Sequence, residues 1–311
     1  MTDEIPLVDK SPKSKQKKNE FPDDPPETEW TYIFPCHCCP LAKLKTNNNN
    51  NRIFFHGIEI KFESLILVFV SSLIFFTYYA YYTSIFSQFQ GTLKKVSVIE
   101  TTIVTILFLW SYFSAACMDP GFLPYDWYRT QNDWYSWEDQ LSGLAITEMQ
   151  CVFVDMHERP KNASFSRSSG RFVIRGDHIC DWICNWVGKR NHKQFLLLMV
   201  WGIFYCFSMS IWSLLANLKN LSSFQYSLVV ISLVLEIIFG TSLILFFFSS
   251  LYLVLSSRTK IQVMKNLEMN DKKSCVDALE EICGPGTKLL WLLPFPAFGK
   301  ELPTPTRIDC L

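Results

Sequence analysis

The chain has 311 residues, of which 49% are apolar and 15% aromatic, and charged residues make up only 19%, against roughly 25% in a soluble domain. Basic and acidic residues balance at 29 each, so no global field draws the chain to nucleic acid. This composition excludes a soluble globular enzyme, a disordered chain and a disulfide-stapled secreted domain.

Residues 1–60 hold Pro-rich and Lys-rich stretches and the run Asn47 to Asn51. Such a segment has too little apolar surface to fold alone, which predicts a flexible tail. It shows no charged, apolar and small-residue order of a removable signal. Cys36, His37, Cys38 and Cys39 are too close together to wrap one metal ion and fit juxtamembrane acylation better.

Uncharged runs then extend from Ser64 to Leu93, Thr101 to Met118, Gln194 to Leu218 and Ile237 to Ser257. Each is near or above the roughly 18 residues that cross about 30 Å of hydrocarbon as a helix. Transmembrane helices 1 and 2 are placed in residues 61–116, joined by a loop of roughly a dozen residues, and helices 3 and 4 in 195–257. Counted this way, Glu236 falls at the luminal rim of the fourth. Nine Lys/Arg precede the first span, two lie between the first pair, nine between the second and third, one in the last loop and eight beyond it. Positive charge stays on the cytosolic side, so both termini and the loop 117–194 are expected there, with their cysteines reduced.

The expected fold is therefore an all-α polytopic membrane protein, with four transmembrane helices and a small cytosolic Cys-motif loop domain between helices 2 and 3. Residues 258–311 form a cytosolic tail whose segment Asp271 to Cys283 reads as an amphipathic helix, stopped by Gly284, Pro285 and Gly286. Leu289 to Phe295 is apolar but too short to span, and reads as a plug against the bilayer or the helix bundle.

Chemistry is expected just before the third span, where Asp177, His178 and Cys180 lie within four residues. They are a thiol nucleophile, a base and a group to orient the base. An imidazole takes the thiol proton, and a carboxylate on its far nitrogen fixes the tautomer and stabilises the imidazolium. A thiolate at a membrane face suits acyl transfer between thioesters.

The wider pattern comprises Asp119-Pro120-Gly121 after span two, Arg159-Pro160, Ala163-Ser164 and Val173. It continues through Asp177-His178-x-Cys180-x-Trp182 and Asn185-x-Val187-Gly188-x-x-Asn191-His192, and ends with Thr259 after span four. In this order relative to four spans it resembles the DHHC-type protein S-acyltransferases (palmitoyltransferases), from about residue 62 to 298. That resemblance implies a multi-pass enzyme that takes a long-chain acyl group such as palmitoyl from acyl-CoA onto Cys180. The group then passes to cytosolic cysteines of membrane-associated proteins, with His178 as base and Asp177 as orienter. On the same reading Trp182 lines the thioester end, Lys189 and Arg190 meet CoA phosphates, and no cofactor is bound beyond the acyl-CoA substrate. The partners implied are the bilayer, acyl-CoA and protein substrates, without nucleic acid.

The departures are as informative. The family's loop holds two structural zinc ions with Cys and His. Those eight positions fall here on Val152, Asp155, Phe165, Ser166, Ser169, Phe172, Ile179 and Trp186. None is Cys or His, so no metal site is expected. Phe165, Phe172, Ile179 and Trp186 are large and apolar, each contributing about 1.5 to 3 kcal/mol if buried, and are expected to form a hydrophobic cluster in place of the metal. Asp181 stands where the family has Pro, the Thr-Thr-x-Glu motif is reduced to Thr259, and Ala278 takes the place of a tail-helix Asn. The alternative function is a catalytically inactive membrane scaffold of the same family, recruiting partners through its tails.

Overall fold

The computed structural model describes residues 29–32, 41–45, 51–55, 58–59, 65–121, 134–135, 163–166, 171–264, 273–298 and 302–303. Within the expected tail, β1 (Glu29–Tyr32), β2 (Leu41–Lys45), β3 (Asn51–Phe55) and β4 (Ile58–Glu59) pair in sequence as an antiparallel meander. Backbone pairing is thus present where composition predicted none. β5 (Trp134–Tyr135) pairs with β10 (Leu302–Pro303). Cys36 to Cys39, Cys151 and the Arg159-Pro160 pair lie outside the described residues.

Four helices are long and apolar enough to cross a membrane. The first is α1 (Leu65–Ala80), which continues through a π turn and a 3-10 turn to Gln88. α2 (Gly91–Cys117), α3 (His192–Leu215) and α4 (Ser223–Leu255) complete the set. α3 is central, packed against α2 on one side and α4 on the other, and α1 touches α4. Its polar side chains reach neighbouring helices: the Tyr205 hydroxyl lies 2.6 Å from Thr77 Oγ1 and donates to the Ile74 carbonyl at 3.0 Å. Such bonds hold helices together where lipid removes the hydrophobic driving force between them.

Two boundaries differ from the charge count. Only Phe89 and Gln90 separate the first two spanning helices, because α2 begins at Gly91 and carries Lys94, Lys95 and Glu100 within it. Glu100 is accommodated by Ser208 Oγ at 2.6 Å and Trp212 Nε1 at 2.9 Å, both donated from α3. Likewise α4 starts at Ser223, behind a capping box in which Ser222 and Gln225 satisfy each other's backbone N–H groups. Glu236 is therefore well inside α4 and buried, accepting from Ser210 Oγ at 3.2 Å, rather than at a luminal rim. Counting outward from charges shortens a span whenever a charged group has a partner inside the bundle.

Beyond α4 lies α5 (Lys260–Met264), opened by a second capping box. The Thr259 N–H reaches Gln262 Oε1 at 2.8 Å and the Gln262 N–H reaches Thr259 Oγ1 at 3.2 Å. The expected tail helix is α6 (Cys275–Cys283), N-capped by Ser274 and ended by Gly284 at φ 80°.

Candidate active site

The loop ahead of α3 is seated on the end of α2 by two buried asparagines. The last carbonyls of a helix have no partner within it, and Asn185 Nδ2 donates to three of them, from Ala115, Ala116 and Met118, at 3.3, 3.1 and 2.8 Å. Asn191 Nδ2 donates to Ala115 O and Trp186 O at 3.1 and 2.7 Å, while its Oδ1 accepts the Gly188 N–H at 2.8 Å. Around them Arg190 Nη1 pairs with Asp119 Oδ2 at 2.8 Å, and Asp119 Oδ1 accepts the Gly121 N–H at 2.9 Å. Gly188 is required by close approach, since a Cβ there would overlap the Pro120 carbonyl and Val173 Cγ1.

On this base stand two antiparallel strand pairs. β6 (Ala163–Ser166) pairs with β7 (Arg171–Ile174), and β8 (His178–Cys180) pairs with β9 (Asn185–Val187). Alternate residues of a strand share a face, so the His-x-Cys spacing turns His178 and Cys180 the same way and Ile179 the other. Burial follows that alternation: Cys180 is buried, His178 is partly buried and Ile179 is 44% exposed. Asp177, one residue ahead of the strand, places Oδ2 2.8 Å from His178 Nδ1. Cys180, two residues on along the same face of β8, is among the groups that raise the His178 pKa.

Asp177 is buried and fully partnered. Its second oxygen accepts the Lys260 backbone N–H at 2.7 Å, its carbonyl accepts that of Ile261 at 3.2 Å, and its own N–H reaches Val187 O at 2.7 Å. Burial opposes the carboxylate, but the His178 bond and the Lys260 N–H outweigh it and hold Asp177 at about 2. Burial equally opposes the imidazolium of His178. The Asp177 and Cys180 hydrogen bonds and the Asp177 charge overcome it and raise His178 to about 9.

Aromatic groups close the surroundings. Phe195 meets the His178 ring edge-on at 5.2 Å, and Trp182 meets Phe239 of α4 at 6.3 Å. The Tyr112 hydroxyl of α2 donates to the Trp182 carbonyl at 3.0 Å, tying the turn after Cys180 to the spans. Cys184 sits in left-handed backbone at φ 50° and bonds back to the Asp181 carbonyl.

Lys189 and Arg190, expected at CoA phosphates, have partners within the protein. Lys189 Nζ donates to the Glu281 carbonyl of α6 at 2.6 Å, and burial lowers its pKa to about 8 despite the Glu281 charge. Glu281 also pairs with Arg175 Nε at 3.1 Å, and Arg175 Nη1 lies 3.0 Å from His192 Nδ1. These residues fasten the tail helix to the loop, and Arg190 fastens the loop to the end of α2. Sequence reading missed Tyr112, Lys260 and the carbonyl-capping role of Asn185 and Asn191. Only the Thr259 to Gln262 capping spacing offered a signal for α5.

The residues at the family's zinc positions do not fit zinc, which needs N or S donors in a closed tetrahedron. Phe172 and Trp186 are buried at 0% and 4% exposure and offer no lone pair for a metal. Ile179 also lacks a donor, and among the described residues no group of three His, Cys, Asp or Glu is placed to hold an ion. Val152, Asp155 and Ser169 lie outside the described residues. The apolar cluster needs one correction: Ile179 faces outward, because it occupies the opposite side of β8 from Cys180. Trp186 instead packs with Val173 and Ile261, and its ring lies over Gly176, where a Cβ would come within 3.2 Å of it.

Comparison with known proteins agrees with this geometry. Residues 147–267 match the DHHC palmitoyltransferase profile. Probable protein S-acyltransferase 14 of Arabidopsis thaliana is 28% identical over 161 residues, covering 46% of this chain and 51% of that protein. Palmitoyltransferase AKR1 of Debaryomyces hansenii is 30% identical over 111 residues, covering 34% and 13%. Probable protein S-acyltransferase 12 of Arabidopsis thaliana is 27% identical over 240 residues, covering 66% and 78%. The match thus spans about half the length of the first relative and far less of the second. Four spans, an Asp-His-x-Cys hairpin before the third and these likenesses make this chain similar to the DHHC palmitoyltransferases over residues 147–267.

Proposed function

We propose that the protein is a protein S-acyltransferase that uses long-chain acyl-CoA at the cytosolic membrane face, with both termini on that side. The observation that carries this reading is the Asp177 to His178 bond of 2.8 Å, with Cys180 on the same face of β8 as His178. His178 takes the proton from Cys180 Sγ, and the sulfur attacks the thioester carbonyl. The carbon to CoA-sulfur bond breaks, and CoA leaves as the thiol with the proton held on His178. A cysteine of a membrane-associated protein then gives its proton to the same imidazole and attacks the acyl-Cys180 thioester, which regenerates the Cys180 thiol. With its pKa raised to about 9, His178 keeps the Cys180 proton as an imidazolium at neutral pH, and Asp177 stabilises that cation while the sulfur attacks. Trp182 borders the thioester end, while Lys189, Arg190, Asn185 and Asn191 position the loop. Phe172, Trp186 and the asparagine bonds hold the loop without metal. Full-length protein in detergent is incubated with clickable palmitoyl-CoA, and a hydroxylamine-sensitive label on Cys180 is expected. Absence of label from folded wild-type protein would favour the scaffold.

A further inference from the structure

Residues 288–298 are used by no step above, and their surroundings are unusual. After α6 a 3-10 turn, Lys288–Leu292, leads through Phe295. Its backbone is bonded by side chains of α3. Lys193 Nζ donates to Leu290 O at 2.8 Å and to Phe295 O at 3.2 Å. Gln194 Nε2 donates to Phe295 O at 3.0 Å, and Trp201 Nε1 to Leu292 O at 3.1 Å. On the other side the Phe295 ring meets Trp110 of α2 edge-on at 5.0 Å.

These partners fix its depth. Trp201 is seven residues past Gln194, the last polar residue before the apolar run of α3, so it lies about 10 Å into the span at 1.5 Å per residue. Trp110 is seven residues before the end of α2, again about 10 Å from its cytosolic end. Leu292 and Phe295 are therefore held below the level at which the spans leave the membrane. Irregular backbone is tolerated at such depth only where its polar groups are satisfied, and the carbonyls of Leu290, Leu292 and Phe295 are satisfied by Lys193, Gln194 and Trp201. Meanwhile Leu289 is 72% and Leu292 54% exposed. The segment also borders exposed apolar residues of the spans: Phe295 meets Trp110 of α2, and Trp201, which bonds Leu292, meets Phe204 of α3.

We infer that residues 288–295 form a re-entrant anchor embedded in the acyl-chain region of the cytosolic leaflet, with Leu289 and Leu292 as its lipid contacts. The occupant is lipid because the segment is held against the spanning helices α2 and α3 at Trp110 and Trp201, and because apolar segments at interfaces insert about 5 to 10 Å.

The test uses the full chain in phosphatidylcholine vesicles, with a p-benzoylphenylalanine photoprobe replacing Leu289 or, separately, Leu292. Tyr252, exposed on α4, carries the probe as the lipid-facing control, and Lys273 as the aqueous one. Irradiation should give phospholipid adducts at both leucine positions in yield comparable to Tyr252, with adduct lost at Lys273. Yields at the leucines no higher than at Lys273, or cross-links to this chain or a second copy in place of lipid, would overturn the inference.

Discussion

Asp177 reaches across the membrane face to the segment after the last span: its Oδ1 accepts the backbone N–H of Lys260 at 2.7 Å, while Oδ2 holds His178. Lys260 is the first residue of α5. Proline is tolerated at that position, where the N–H has no partner within the helix. Lys260→Pro therefore removes one donor to Asp177 and leaves the helix intact. A hydrogen bond to a charged group is worth about 1.5 to 3 kcal/mol. We expect slower Cys180 acylation, by roughly tenfold or more, in a protein that expresses and melts like wild type. Unchanged labelling would show that the Lys260 bond is incidental to the orientation of Asp177.

The hairpin geometry gives the catalytic predictions. Cys180→Ser should abolish autoacylation, because a hydroxyl is a far poorer nucleophile than a thiolate at neutral pH. Cys184→Ser should leave it largely intact, as the Cys184 sulfur bonds the Asp181 carbonyl. His178→Ala should slow acylation by roughly two to four orders of magnitude, and Asp177→Asn acts through the same ring. The double variant should be scarcely slower than His178→Ala alone, since the two form one unit. Full acylation of the His178→Ala protein would mean that the His178 and Cys180 side chains do not cooperate.

Much of this was legible in the residues themselves. Four apolar runs announced four spans, and Asp177, His178 and Cys180 stood out because a strand puts alternate residues on one face. The errors share a cause. Glu100 and Glu236 ended spans on paper but are bonded by Ser208, Trp212 and Ser210 of α3 in the fold. Lys189 and Arg190, expected at CoA phosphates, also have partners in the fold, in the Glu281 carbonyl of α6 and in Asp119. Charge along a chain carries no record of which distant group will neutralise it. Lys260 was invisible for another reason: it contributes its backbone N–H, which every residue except proline possesses.

Phe172 and Trp186, both buried, should carry the loop's stability. Phe172→Ala or Trp186→Ala is expected to cost roughly 3 to 5 kcal/mol, read as a lower unfolding midpoint and faster proteolysis between the second and third spans. Ile179→Ala should cost little, because that side chain faces outward. Elemental analysis of the purified protein should find no stoichiometric zinc, and chelator should leave the midpoint unchanged. One or two zinc ions per chain would contradict the assignment of Phe172, Ile179 and Trp186 to the ligand positions.

The same bond that orients His178 should give the protein a distinctive dependence on pH. A group whose folded pKa is raised stabilises the fold fully below its unfolded value and loses that contribution as pH rises through the folded one. His178, ordinarily near 6.5, is raised to about 9, so its contribution is complete below about 6.5 and fades up to about 9. Asp177, ordinarily near 3.8, is lowered to about 2, so its contribution is complete above about 3.8 and fades as pH falls to about 2. The pair is therefore at full strength from roughly pH 4 to 6.5. In detergent, the wild-type unfolding midpoint should decline between pH 6.5 and 9 beyond any general alkaline drift. In Asp177→Asn the largest attractive partner of the imidazolium is gone, so that decline should disappear from the window while the variant stays less stable at pH 6. Superimposable midpoint curves for the two proteins would show that His178 is not held protonated by Asp177.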